Sequence, residues 1–453
     1  MSTLVESVLA RGLDTKAVVM GRNVVDRTGA TFAELFPGQT AVIVADGNTW
    51  AVAGEAVRAS LAAAGVGLDE PIIYPGTPVL FADDRAAEDL RSRLAQTSAI
   101  AVSIASGSLN DLTKLASHRV GRSYLNVCTA ASVDGYTSFG AAITTNGIKG
   151  TQECPAPRGV IVPLDIMAAA PKRLTATGYG DLIEKVPAGA DWIIADELGL
   201  EPIDEFVWSL VQGPLREALG NPSGLVTGDP AAIERLAEEL IMSGLAMQVF
   251  ASSRPASGGG HYFSHQWEME GHGRDWDPPL SHGFKVGLGT VAMCALYERV
   301  LDLGLDHLDV AARVAHWPVP AADAARVAAL QPGAVIRAAC LTQSAAKYLT
   351  ADQARGRLEL VRARWGAIRT RVAAQVLPAR VVEHMLRTVG AVHHPYQIGV
   401  GLDELRTKYF QAQTIRARYT VLDLLQEVGV LNQLVDGLFE PGGYWYERAQ
   451  ETF

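Results

Sequence analysis

A chain of 453 residues, 48% hydrophobic and 19% charged, with a formal net charge of −10, has the profile of a globular protein long enough for two or three domains. The acidic balance argues against nonspecific binding to nucleic acid or to anionic membranes, which reward basic patches. Cys128, Cys154, Cys294 and Cys340 lie far apart without a CxxC pair, so a disulfide framework or zinc ribbon is not expected and a reducing compartment fits. The N-terminal MSTLVESVLARGLDTK lacks the apolar core of a signal peptide, and no apolar run reaches the roughly 18 residues needed to span a bilayer. The expected location is the cytoplasm.

Short apolar runs at 17–20, 41–44, 72–74, 99–102, 124–128 and 159–162 read as buried strands. Apolar spacing predicts helices over 50–64 and 86–94. This alternation predicts a mostly parallel sheet covered by helices. After about residue 170 the texture becomes helical. Asp229-Pro230 reads as an N-cap and first-turn proline, followed by Ile233, Leu236, Leu240, Ile241 and Leu245 at helical spacing. Segments 286–303, 322–330, 351–386 and 402–436 also read as helices. The expected organisation is an α/β nucleotide-binding domain over 1–170 and an all-α metal- and substrate-binding domain over 171–453.

Three turns in the first half bear on nucleotide chemistry. Asp46, just past a strand in VIVADGNTW, suits either a ribose hydroxyl or a plain strand-terminal turn. The run Gly107, Ser108, Leu109, Asn110 and Asp111 follows a strand and opens a helix carrying Lys114. Small residues there let backbone amides approach a pyrophosphate, though a tight strand–helix turn reads equally from these residues. Thr129, Ala130, Ala131 and Ser132 end the strand at 124–128 and lead to Asp134 and Ser138. Hydroxyls and amides here could hold a nicotinamide ribose or phosphate, with Asp134 on a polyol hydroxyl; the alternative is a capped Asp-Gly turn.

The second half carries His261 and His265, four residues apart and so on one helix face, with His282 in a following SHG turn. Asp181 sits in ATGYGDLIEK. One carboxylate with two imidazoles makes an open divalent-metal site with positions left for substrate. His272 reads as solvent-facing, His393-His394-Pro395 as a turn before another helix, and Ser123 and Ser132 form no visible triad.

Taken in order, ADGNT, SGSLNDLTK, TAASVDGYTS, TGYGDLIEK, SRPASGGGHYFSHQWEM, SHGFKVGLGT, IRARYTV and LDLLQEVGVL resemble the bacterial sn-glycerol-1-phosphate dehydrogenases. These lie within the iron-containing alcohol dehydrogenase, glycerol dehydrogenase and dehydroquinate synthase-like family. The resemblance implies that family's fold, with Asp181, His261 and His282 as ligands of one divalent metal (zinc, nickel or iron). It gives His265, Asp134 and Asp181 to the substrate. Gly107 to Asp111, Thr129 to Ser132 and Ser138 fall to NAD or NADP, and Asp46 to the adenosine ribose. The implied reaction interconverts dihydroxyacetone phosphate and sn-glycerol 1-phosphate in a cytoplasmic homodimer, with Arg254, Lys149 and Lys285 as candidate phosphate cations. Alternatives are dehydrogenation of an unphosphorylated polyol or another sugar phosphate, a dehydroquinate-synthase-like lyase, and a non-catalytic binding protein. The chain departs from the pattern at Ser106, in a turn usually richer in glycine, and at Cys128, usually proline. It departs again at Gly260, usually glutamate, and at Lys285, usually glutamine.

Overall fold

The computed structural model describes residues 3–449 and 451. Contacts divide the chain into two compact units: residues 1–182, 206–253 and 277–279, and residues 183–205, 254–276 and 280–453.

The first unit is built on a parallel sheet. Its strands are β1 (Ala17–Gly21), β2 (Ala41–Asp46), β3 (Ile72–Tyr74), β4 (Ile100–Ala105), β5 (Tyr124–Cys128) and β8 (Gly159–Pro163), in the order β1-β8-β5-β4-β2-β3. β2, β4, β5 and β8 are buried almost throughout, which explains why they read as unbroken apolar runs rather than alternating ones. Within β2, Val42 and Val44 join one hydrophobic cluster with Leu90, Leu112 and Leu115. Ile43 and Ala45 join another on the opposite face with Phe32, Val57 and Leu61. From β2 the chain crosses outward to β3, then returns to place β4 on the other flank of β2. That reversal makes the carboxyl ends of β2 and β4 the switch point of the sheet, where α/β proteins hold ligands.

The sequence reading missed helix Thr28–Leu35 and the antiparallel hairpin β6 (Ala141–Thr145) and β7 (Ile148–Gln152). Asn146 and Gly147 form its turn, both with positive φ (52° and 82°), as a two-residue hairpin turn demands.

The single cut expected at 170 differs from the observed division, for a physical reason. Helix Pro230–Phe250, capped by Asp229 as read, with Oδ1 accepting from Ala231 N at 3.0 Å, belongs to the α/β unit. Thr137 Oγ1 donates to Ile241 O (2.6 Å), Ser243 Oγ to Asp134 Oδ2 (2.9 Å) and Gln248 Nε2 to Thr15 Oγ1 (2.9 Å). Gly244 lies so close to the 134–138 loop that a Cβ would stand 2.2 Å from Thr137 Oγ1.

The second unit is helical. The run expected over 351–386 is two helices, Ala351–Gln375 and Ala379–Thr388, broken before Pro378. The run over 402–436 is three, Leu402–Thr414, Val421–Val428 and Leu431–Asp436. Helices Gly259–Met269 and His282–Val300 pack closely at two glycines. A Cβ on Gly289 would lie 2.3 Å from Gly260 O. His272 is half-buried rather than solvent-facing, with Nε2 2.8 Å from Ile398 O. His394 caps the short helix Pro395–Ile398, matching the turn read there. Among the described residues no helix is long and apolar enough to cross a membrane.

Candidate active site

The two small-residue turns of the α/β unit are tied into one structure. Ser106, at the carboxyl end of β4, caps helix Gly107–Arg119. Its hydroxyl lies 3.0 Å from Ser132 Oγ, which lies 3.0 Å from Tyr136 OH. Gly107 packs closely here, since a Cβ would stand 3.3 Å from Val133 Cγ2. Asn110 is buried; its Nδ2 donates to Gly135 O (3.2 Å), and its Oδ1 accepts from Tyr124 OH (2.8 Å). Buried Lys114 donates to Gly135 O (3.0 Å), Ser138 O (2.8 Å), Ser138 Oγ (3.2 Å) and Gly140 O (2.9 Å). Its ammonium is 3.7 Å from Asp111 Oδ1, whose carboxyl is pushed up by burial against the pull of Lys114 and Lys149. Leu109, Thr129, Ala130, Ala131 and Ser138 are buried around these contacts, and Ser108 lies in the exposed first turn of the helix. At the end of β2, Asp46 Oδ1 accepts from Asn48 N (2.9 Å) and Thr49 N (2.8 Å), so the turn reading of that aspartate is realised.

Helix Lys172–Ile183 carries Asp181 in its last turn, 1% exposed. Asp181 Oδ2 accepts from Asp134 N at 3.1 Å, while Asp134 Oδ2 is engaged by Ser243. Within the second unit the rings of His261 and His282 stand 5.5 Å apart. The imidazoles are backed by carboxylates. His261 Nδ1 is 3.0 Å from Glu184 Oε2; His282 Nδ1 is 2.8 Å from Glu268 Oε1 and 3.1 Å from Ser264 Oγ. At His282 the Glu268 hydrogen bond to Nδ1 orients the ring and leaves Nε2 free to bind, the arrangement that metal-binding histidines adopt, while Glu184 stands beside His261 as a charge partner. The donor set therefore fits a divalent ion of borderline softness.

Two buried carboxylates also hold the start of the histidine-bearing helix. Glu184 Oε1 accepts from Gly258 N (3.1 Å), and Asp191 Oδ2 accepts from Gly259 N (2.7 Å). Amides that a helix N-terminus leaves without intrahelical partners are thereby satisfied. Asp191 Oδ1 further accepts from Tyr297 OH (2.5 Å) and Val421 N (2.9 Å). Burial pushes the Asp191 carboxyl up to about 6.

His265 stands one turn on, its ring 6.2 Å from those of both His261 and His282. Burial holds its pKa well below the usual value, and the charge of Arg416 adds to that, so the ring is neutral near pH 7. Arg416 Nη2 is 3.4 Å from His265 Nδ1. Because a guanidinium only donates, Nδ1 accepts and the proton sits on Nε2.

The candidate phosphate cations fare differently. Arg254 is fully buried and donates to Tyr419 O (3.0 Å) and Asp191 O (2.8 Å), with Glu201 3.1 Å from its Nε. The contacts of that arginine are with the fold itself. Lys149 donates to Ala142 O across the hairpin (3.0 Å), and Lys285 is buried in helix His282–Val300. Sequence reasoning missed Glu184, Asp191, Glu268 and Arg416, although TGYGDLIEK, HQWEM and IRARY contain three of them.

Residues 19–171 match the family model described as iron-containing alcohol dehydrogenase. The glycerol-1-phosphate dehydrogenase [NAD(P)+] of Aeropyrum pernix is 32% identical over 285 residues, 63% of this chain and 78% of that one. This chain belongs to the glycerol-1-phosphate dehydrogenase family, among the iron-containing alcohol dehydrogenases. Its relative of the same name from Halalkalibacterium halodurans is 36% identical over 257 residues, 56% of this chain, and the match spans 64% of that relative, just under two thirds. In fold, the chain resembles a probable glycerol dehydrogenase from Sinorhizobium meliloti 1021, with TM-score 0.59, 16% identity, and coverage of 93% and 98% of the two chains. The expected α/β half followed by a helical half is the architecture of this family.

Proposed function

We propose that this chain is a metal-dependent NAD(P) dehydrogenase interconverting dihydroxyacetone phosphate and sn-glycerol 1-phosphate. The observation that supports this reading is the pairing of His261 and His282, each with a glutamate beside its Nδ1, to which the family resemblance adds Asp181 as third ligand. A divalent ion held there would supply Lewis-acid polarisation of the substrate carbonyl. Reduction moves a hydride from the nicotinamide to the carbonyl carbon and a proton to the carbonyl oxygen. His265, neutral with its proton on Nε2, is suited to hold a substrate hydroxyl or to relay that proton. The Asp134 backbone fixes one Asp181 oxygen. Ser106 to Asp111 and Thr129 to Ser138 would cradle the cofactor phosphates and nicotinamide ribose, and Asp46 Oδ2 would reach the adenosine ribose. We take the enzyme as cytoplasmic and homodimeric, in line with the family resemblance.

The test is nicotinamide absorbance during reduction of dihydroxyacetone phosphate, with protein loaded separately with zinc, nickel or ferrous iron. Metal-dependent oxidation of NADH or NADPH, with chiral analysis giving the 1-phosphate, is the expected result. Silence with every metal, despite bound cofactor, overturns the substrate assignment.

A further inference from the structure

Arg416 lies in the connection between helices Leu402–Thr414 and Val421–Val428, in a position the chain itself secures. Its carbonyl accepts from Lys347 Nζ (3.0 Å), and Lys347 is anchored 2.6 Å from Asp423 Oδ1. The guanidinium is thus presented from a fixed backbone. Among the described residues its side-chain hydrogen-bond partner is His265 Nδ1 at 3.4 Å.

That leaves an imbalance of charge. Other partly buried arginines of this unit meet oxygen acceptors: Arg448 pairs with Glu383 at 2.6 Å, Arg326 with Asp323 at 2.9 Å and Arg357 with Glu427 at 3.4 Å, while Arg313 and Arg337 donate to backbone carbonyls. Among the described residues, no carboxylate forms an ion pair with Arg416. Burial lowers its pKa and the neighbouring Arg418 adds to that, with only Tyr262 opposing. A guanidinium carries five N–H donors in a rigid fork and cannot shed its proton. Held partly out of water without a counter-charge, it is costly unless an anion completes it. It is not sealed off, because its side chain keeps intermediate exposure. A phosphate monoester, planar-fork compatible and doubly charged, is the anion that best repays such a group.

We propose that Arg416 receives the phosphate of the substrate and sets the preference for a phosphorylated over an unphosphorylated ketose. The assignment rests on the reaction proposed above and names a residue that its cation candidates Arg254, Lys149 and Lys285 did not include. With His265 beside it, one end of the substrate would be fixed by charge while the hydroxyl-bearing end meets the imidazole.

The experiment compares kcat/KM for dihydroxyacetone phosphate and for dihydroxyacetone in wild type, Arg416→Gln and Arg416→Lys, with metal content and the KM for NADH and NADPH followed in parallel. Inorganic phosphate binding to the zinc-loaded protein is measured by calorimetry. Arg416→Gln is expected to lower the phosphorylated-to-unphosphorylated kcat/KM ratio by about 100-fold, with Arg416→Lys between, metal content kept, and phosphate binding lost. An unchanged ratio overturns the proposal, since it would leave Arg416 acting only through His265. A rise confined to the KM for NADPH also overturns it, because the anion would then be the cofactor's. If the wild type reduces neither ketone, the reaction reading fails by itself and calorimetry decides the site. Phosphate binding that disappears in Arg416→Gln upholds an anion site at Arg416, and binding that persists overturns it.

Discussion

Glu184 and Gly260 share one volume: a Cβ on Gly260 would stand 2.9 Å from Cγ of Glu184, and Glu184 uses that room to bring Oε2 to 3.0 Å from His261 Nδ1. The family resemblance expects a glutamate at 260. Here the carboxylate that faces the histidine arrives instead from the helix turn after Asp181, and the missing side chain at 260 is what admits it. Glu184→Gln should keep the fold but weaken metal affinity by about 10- to 100-fold, read by titration against a chelator. Unchanged affinity would show that Glu184 does not orient His261. Gly260→Ala should destabilise by about 1–3 kcal/mol through overpacking. Combined with Glu184→Ser it should cost less than the sum of the two, measurable as a coupling in thermal or denaturant melts.

Asp181→Ala and His261→Ala should each lose bound metal and lower turnover by more than about 100-fold, beyond the effect expected of an orienting partner. Circular dichroism should stay that of a folded protein. Full activity in either variant would refute the ligand assignment.

Asp191 makes stability depend on pH in an uncommon direction for a carboxylate. Its folded-state value is about 6, raised by burial, against roughly 3.9 in an unfolded chain. The folded state therefore holds the proton more tightly, and this contribution is complete below about pH 4 and is lost as pH rises through about 6. Asp191→Asn should destabilise, because the carboxylate oxygens accept from Tyr297, Gly259 and Val421 and an amide brings donors where donors already point. The wild type's lead over that variant should shrink between about pH 4 and pH 6; a lead that widens over that interval contradicts the assignment.

Lys114→Met should weaken NADH binding and stability together. Four oxygens of the 135–140 loop converge on one ammonium. Removing it leaves those carbonyls without their donor and Asp111 without its nearest cation, a loss on the order of 3 kcal/mol. A cofactor titration and a melt check both; unaltered NADH affinity would separate the loop from the cofactor site.

The sheet was legible because burial on both faces writes itself as runs such as 41–44 and 99–102, and Asp229-Pro230 announced its helix chemically. Pro378 stood in plain view inside the run taken as one helix, and its effect on the preceding residue breaks that run. The β6–β7 hairpin was harder: Lys149 and Thr151 give it little apolar alternation, and Asn146-Gly147 was its one sharp signal. Asp181, His261 and His282 were read from motif and resemblance as expected ligands; the groups packed around the histidines could not be read that way. Glu184 stands 77 positions before His261, and Arg416 stands 151 positions after His265. No local pattern reports a partner at that distance; the packing of helices creates it. The same holds for the domain division, where the 230–250 helix joins the α/β unit through Thr137, Ser243 and Gln248 rather than through its neighbours in sequence.

The glycine contact between helices Gly259–Met269 and His282–Val300 has a bearing on which metal the enzyme carries in a cell. Their backbones meet at Gly260 and Gly289 with no side chain between to yield, so helix packing sets the spacing of His261 and His282. Two imidazoles spaced by packing offer the same donors to zinc, nickel or ferrous iron, so supply would choose among them.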